Sequence, residues 1–451
     1  MNKDYTKKAL EYHSDGKPGK IEVAPSKPVE SAEDLSLAYS PGVVAPVIEI
    51  GKDRWNAYRY TNKGNLVAVV SNGSAVLGLG DVGATASKPV MEGKAMLFKL
   101  FADIDAFDIE LSEEDPEEFI RIVQDLSPTF GGINLEDIKA PECFLIEEKL
   151  RSLVGIPVLH DDQHGTAVVV TAALINAFKI TERNVKDVKV VICGAGSAGI
   201  STAKMLFALG VVKENIVMFD SKGAITTTRT DIDVYKALFA TNRNIRSLRD
   251  AMTDADVFIG LSKGNILADD DLRVMAPNPI IFALANPVPE IGYEKAKSIR
   301  GDAIVATGRS DYPNQINNVL AFPYLFRGAL DTLSTTINEH MMIAAANAIA
   351  DVAKMQFFNG EAEQNGSCFV IDKECIVPKP GDKCLLTHVS TAVARAAMES
   401  GVARRRIASF TEYENTLLQR VDNENFFAKE RKRCNRTRKP NNNNREREIQ
   451  S

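Results

Sequence analysis

Two pairs of adjacent acids, Glu136-Asp137 and Asp161-Asp162, each follow a short apolar run, 130–135 and 156–159, and each precedes a helical pattern. Short runs bounded in this way read as buried strands. The four carboxylates then stand at the carboxyl ends of strands, the rim on which open α/β sheets bind ligands. Like charges so crowded suppress one another's ionisation unless a cation sits among them, and a donor set of oxygens alone points to Mg²⁺ or Mn²⁺. His160 and His164 lie four apart and suggest zinc, but His160 stands at a strand end and no third soft ligand accompanies the pair. Acidic helix caps at the two turns account for the same four residues without a metal.

A second constellation, Gly194-Ala195-Gly196-Ser197-Ala198-Gly199, follows one strand-like run and opens a helix, with Asp220 closing the next run. This is G-x-G-x-x-G in the setting that gives it meaning, a dinucleotide pyrophosphate at a helix N-terminus and an acid on a ribose. Asp220 opposes a 2′-phosphate and favours NAD, whereas Lys222, two residues on, offsets that charge in favour of NADP, so both cofactors stay open. Gly78-Leu79-Gly80-Asp81-Val82-Gly83 repeats the glycine spacing, but Pro89 interrupts the helix behind it, and we assign it to the wall of the active site. Gly260-Leu261-Ser262-Lys263-Gly264 has the spacing of a hydrolase elbow. With five histidines in the chain and no helix directly behind it, it reads as a loop beside the cofactor. Lys94 lies in a mostly apolar helix, where a lysine usually snorkels to water; partly buried beside a divalent cation, it would have a lowered pKa and become a usable base.

The elements that must position these residues alternate. From residue 66 to 159, apolar runs and helical stretches follow one another in the cadence of a mainly parallel sheet. A second cycle begins at 188, with strand-like runs at 188–193, 216–219, 257–261, 280–284 and 303–306. The fold class is therefore α/β: an N-terminal α/β catalytic domain (1–183), a Rossmann-type doubly wound dinucleotide-binding domain (184–360), a C-terminal helical segment (361–420) and a basic, Asn-rich tail (421–451). The first 35 or so residues, with Pro18, Pro25 and Pro28, are expected to wrap the surface before a short helix at 32–38. Of the net charge of −6, residues 429–451 contribute +6, which leaves −12 on the body and argues against nucleic acid as a partner. Six cysteines without metal or redox spacing suit a reducing compartment, and no stretch has the length and apolarity of a signal peptide or membrane span, so the expectation is a cytoplasmic protein.

Tyr39-Ser40-Pro41-Gly42, Glu92-Gly93-Lys94-Ala95, Glu136-Asp137, the segment His160-Asp161-Asp162-Gln163-His164-Gly165-Thr166-Ala167, the glycine fingerprint, Ala285-Asn286-Pro287 and the segment from Gly308 to Asn318 occur together and in order. In this combination the sequence resembles the malic enzymes, in the short form found in bacteria and some protists, over roughly residues 10–415. The resemblance implies oxidative decarboxylation of (S)-malate to pyruvate and CO₂ with reduction of NAD or NADP, dependent on Mg²⁺ or Mn²⁺. It implies Glu136, Asp137 and Asp162 as metal ligands, with Asp161 beside them orienting Lys94, the general base. Tyr39 falls on the general acid, Asn286 and Asn318 on residues that hold malate, and Asn317 near the nicotinamide. Where longer animal relatives carry an arginine for the substrate carboxylate, this chain has Ala75. A homodimer or higher homo-oligomer is the implied assembly. Two other readings are a metal-independent amino-acid dehydrogenase and a non-catalytic dinucleotide-sensing protein.

Overall fold

The computed structural model describes residues 3–76, 78–355 and 371–421; the basic tail beyond 421, Cys368 and Cys434 lie outside them. Four helices, α1 (Lys3–Ser14), α2 (Ala32–Ala38), α3 (Val44–Lys52) and α4 (Ala57–Tyr60), precede the first sheet. Helix α1 lies within the polar segment expected to wrap the surface and was not foreseen: no proline intervenes before Pro18, and the ion pairs Lys8–Asp4 and Lys7–Glu11 each span one turn of it. A reciprocal Ser31–Asp34 capping box begins α2 where the sequence places it.

The first sheet takes β1 (Leu66–Ser71), α5 (Ala84–Ala102), β2 (Asp105–Glu110), α6 (Pro116–Leu126), β3 (Gly132–Leu135), α7 (Glu142–Leu153), β4 (Val158–His160) and α8 (Asp161–Ile180) in chain order. All four strands are parallel, in the order β2-β1-β3-β4. Every residue of β1 is buried, as a central parallel strand covered on both faces requires. Pro89 does not interrupt α5, which runs unbroken across it; in the second turn a proline removes only the bond its amide would give to the Thr85 carbonyl.

The second sheet takes β5 (Val190–Cys193), α9 (Ser197–Leu209), β6 (Ile216–Asp220), β7 (Gly223–Ala224), α10 (Val234–Ala237), α11 (Leu248–Met252), β8 (Val257–Gly260), α12 (Asp269–Arg273), β9 (Ile280–Ala283), α13 (Tyr293–Ile299) and β10 (Ile304–Thr307). Its order, β10-β9-β8-β5-β6-β7, is that of a Rossmann fold with an antiparallel edge hairpin, β6–β7. Four more helices, α14 (Phe322–Asp331), α15 (Glu339–Met355), α16 (Lys383–Glu399) and α17 (Phe410–Val421), complete the described chain.

One apolar core runs through both sheets, joined by α8, α9 and α14 to α16. A smaller core covers the outer face of the second sheet. Helix α8 is buried along most of its length, which its unbroken apolar run demands. Among the described residues no helix is long and apolar enough to cross a membrane.

Candidate functional site

Strand register builds the acidic rim. Leu135 of β3 pairs with His160 of β4, so the residues that follow, Glu136-Asp137 and Asp161-Asp162, leave adjacent strands side by side. Asp137 turns the backbone sharply with φ 52°, and its amide donates to Asp162 Oδ2 at 2.8 Å. One carboxylate oxygen from each of Glu136, Asp137 and Asp162 then lies within 4.8 Å of the others. Asp162 therefore reaches across to the neighbouring turn and does not cap its own helix, and the His160 side chain makes no cap bond either. The cap reading fails on those bonds.

Lys94 comes in from α5, buried, with Nζ 2.6 Å from Asp161 Oδ2 and 2.8 Å from Glu136 Oε1, above the ring of Phe322. Asn318 Nδ2 donates to the same Asp161 oxygen at 2.6 Å, and Asn134 Nδ2 holds Glu136 Oε2 at 2.8 Å. Gly165 keeps room for this: a Cβ there would collide with Asp161 Oδ1. Burial alone would pull Lys94 down, but Asp161, Glu136 and Asp162 outweigh it and raise its pKa; a divalent cation among these carboxylates would take up their charge and leave burial to lower it. Burial pushes Glu136 well above the carboxylate range, with Lys94 pulling down and Asp162, Asp161 and Asp137 pushing up; burial likewise raises Asp161, with Lys94 and His164 pulling down and Asp162 pushing up. Four carboxylates face one ammonium, so the cluster has surplus negative charge and a triangle of hard oxygens. Mg²⁺ or Mn²⁺ fits that donor set. Zinc does not: among the described residues no His or Cys joins the triangle, and His164 is engaged with Glu147 at 2.8 Å.

Ala75 donates its amide to the Asp137 carbonyl at 3.0 Å, which sets the loop after β1 over the acids. The second glycine stretch continues from this loop, and a Cβ on Gly78 would lie 2.6 Å from the Asn286 carbonyl. Asn286, in the loop after β9, thus abuts the wall formed by 78–83, with Gly308 close to its amide. Asn317 caps the turn at Asn318–Leu320, accepting from the Val319 amide at 3.0 Å. Tyr39 is not brought to the cluster: it closes α2, 73% exposed, and its hydroxyl has no hydrogen-bond partner among the described residues.

The dinucleotide motif frames a cleft of about 590 Å³, lined by Gly194, Gly196, Asp220, Lys236 and Ser262 among others. Ser197 and Ala198 form the first turn of α9, and the space beside Gly196 is open where a pyrophosphate would approach. A Cβ on Gly199 would run into the Gly194 carbonyl, so the third glycine serves close packing. The loop reading of Ser262 agrees with its bonds, since its amide donates to the buried Glu290 at 3.0 Å. Lys222 does not offset Asp220 with its side chain. Its ammonium goes to Asp231 at 2.8 Å, because in the tight β6–β7 turn only its backbone amide faces Asp220. Arg229 takes that role, gripping both Asp220 oxygens at 2.8 and 3.0 Å, with Lys236 3.7 Å away. Sequence reasoning missed Arg229 and Lys236, which lie nine and sixteen residues beyond Asp220 in a stretch without periodicity.

Residues 18–151 match the family "Malic enzyme, N-terminal domain", and residues 163–363 match "Malic enzyme, NAD binding domain". A probable NADP-dependent malic enzyme of Rickettsia prowazekii is 55% identical over 94% of this chain and 55% of its own length, so the chain spans about half of that relative. The NADP-dependent malic enzyme of Halomonas elongata is 52% identical over 88% of this chain and 94% of its own. The crystal structure of a malic enzyme from Pyrococcus horikoshii superposes with a TM-score of 0.87 at 43% identity, covering 96% of this chain and 100% of that one. With both family domains matched in order and two relatives matched over nearly their whole length, the chain belongs to the malic enzyme family.

Proposed function

We propose that this chain converts (S)-malate to pyruvate and CO₂ while reducing NADP in preference to NAD, with Mg²⁺ or Mn²⁺ held by Glu136, Asp137 and Asp162. The observation that carries the reading is the triangle of carboxylate oxygens set directly against the Lys94–Asp161–Asn318 cluster. A bound divalent cation would supply Lewis acidity toward negative charge developing on substrate oxygens. With the cation bound among them the carboxylates would no longer hold the Lys94 proton, so Lys94 Nζ takes the proton of the C2 hydroxyl, Asp161 and Asn318 hold that amine in place, and a bound nicotinamide would supply the hydride acceptor. Asn286 and Asn318 orient the substrate carboxylates, and Tyr39, exposed at the end of α2, returns a proton to C3 from a neighbouring copy of the chain once CO₂ has left C4.

NADP is favoured because the Asp220 charge is already matched by Arg229 and Lys236, so a 2′-phosphate meets no bare carboxylate. The exposed apolar side chains Leu35, Leu37, Val44, Val47 and Ile48 on α2 and α3 support a homodimer or higher homo-oligomer, and Tyr39 shares that face. Free buried thiols, Cys143 and Cys193, suit the cytoplasm. Residues 1–183 serve as the catalytic domain and 184–360 as the nucleotide domain. The test is a spectrophotometric assay with malate and Mn²⁺, comparing NADP with NAD. Malate-dependent reduction abolished by a chelator is expected, and reduction with glutamate that ignores the chelator would instead indicate an amino-acid dehydrogenase.

A further inference from the structure

Behind the acidic rim lies a buried carboxylate that the reaction does not use. Glu147 sits on the sheet-facing side of α7, in line with Cys143, Ile146 and Leu150, all buried. An acid at such a position is costly unless its oxygens are satisfied, and both are. Oε1 accepts the backbone amide of His160 at 3.1 Å, and Oε2 accepts from His164 Nε2 at 2.8 Å. These donors bracket Asp161 and Asp162. A third tie from the same helix, Gln163 Nε2 to the Cys143 carbonyl at 3.3 Å, lies between them. Sheet pairing ends at His160. Beyond it, the first turn of α8 is fixed by α7 from behind and, from in front, by the Asp137 amide on Asp162 and by Lys94 and Asn318 on Asp161. A carboxylate that reaches across strands to form a cation site needs its backbone held at this level.

We infer that Glu147 and His164 form a clamp that positions Asp162 for the divalent cation, a role that rests on the metal reading above. Glu147 touches neither substrate nor cation; it acts through the 160–164 segment and is a positioning residue. Two substitutions separate this from simple packing. Glu147→Gln keeps the volume but replaces one acceptor by an amide group that faces a donor. His164→Gln keeps a donor toward Glu147, whereas His164→Leu removes it.

The experiment measures Mn²⁺ dissociation by calorimetry, NADP dissociation by fluorescence and thermal unfolding for the wild-type chain, these three variants and Asp162→Ala. Glu147→Gln and His164→Leu should each weaken Mn²⁺ roughly 10- to 100-fold while NADP binding shifts less than about twofold, and His164→Gln should stay near wild type. In the double variant Glu147→Gln/His164→Leu the losses should fall short of additive, as for two ends of one contact. Folded single variants with unchanged Mn²⁺ affinity would overturn the clamp, and so would parallel losses of Mn²⁺ and NADP affinity. Should Glu147→Gln fail to fold, the two His164 variants carry the comparison alone. Wild-type Mn²⁺ binding that survives Asp162→Ala would instead remove the metal site itself, and the clamp with it.

Discussion

At the scale of single residues, Lys94 has the most to lose. It is buried against two carboxylates and the face of Phe322, and no other ammonium bonds Asp161 among the described residues. Lys94→Ala should lower turnover by roughly 10²–10⁴-fold with NADP affinity little changed, and a variant near wild-type turnover would strip the residue of its role. Arg229 offers a subtler test. Replacing it by Ala leaves only Lys236, 3.7 Å away, to offset the Asp220 charge toward a 2′-phosphate, so the NADP dissociation constant should rise about tenfold, a loss of about 1.4 kcal/mol, while NAD holds or gains. Equal losses for both cofactors would show that Arg229 acts on the fold and not on the choice. Of these residues, the acid pairs and the glycine fingerprint were legible because their meaning lies in spacing of a few positions. Arg229, Lys236 and Glu147 were not: each acts across a turn or a helix packing that only the assembled sheets create, so Arg229 in its polar stretch and Glu147 beside Glu148 both look like solvated surface. The position of Lys94 in a helix was readable and its partnership with Asp161 was implied by the family resemblance, but its second pair, with Glu136, and the upward shift that the carboxylates cause were not.

At the scale of elements, α8 and β2 make opposing cases about local rules. A glycine inside a helix usually costs about 0.5–1 kcal/mol relative to alanine, so Gly165→Ala should stabilise α8 if helix propensity decided the matter. The added methyl would meet an Asp161 carboxylate pinned by Lys94 and Asn318, which cannot swing away cheaply. We expect a lower unfolding temperature and turnover down by something on the order of 10²-fold; a stabilised, active variant would show that Asp161 is free to move. On the edge strand β2, burial together with the hydrogen bond and charge of Asp108 outweighs Lys88 and pushes Glu110 up to about 7. Its folded form therefore keeps a proton that the unfolded chain releases, so this contribution to stability is present at low pH and is lost as pH rises from the unfolded value through about 7. Glu110→Gln should match wild type in thermal unfolding at about pH 4, below the unfolded value, and exceed it at about pH 8, and parallel curves at both would exclude the effect. Elements with long apolar runs were legible, including every parallel strand. The hairpin strand β7 was not, since two residues carry no period, and α1 was hidden because its support is charge pairing and not an apolar stripe.

For the whole molecule, the alternation of strands and helices sufficed to specify two parallel sheets, yet nothing in it foretold that one core would run through both. Periodicity says which face of a helix is apolar and not which neighbour covers it. The same gap leaves the N-terminal helices with exposed Leu37, Val44 and Val47. Sedimentation should show the chain at twice its own mass or more, and Val47→Glu should shift it toward the monomer with secondary structure intact; a wild-type monomer at all concentrations would dispose of the assembly. Finally, α8 starts at the acids and packs along α9, which starts at the nucleotide loop. At 1.5 Å per residue its 20 residues make a rod of about 30 Å. Thermodynamic reciprocity applies to any strain this rod transmits: if a filled nucleotide cleft tightens the grip on Mn²⁺ by some factor, saturating Mn²⁺ must tighten NADP by the same factor, and the order in which the two are added cannot change the total.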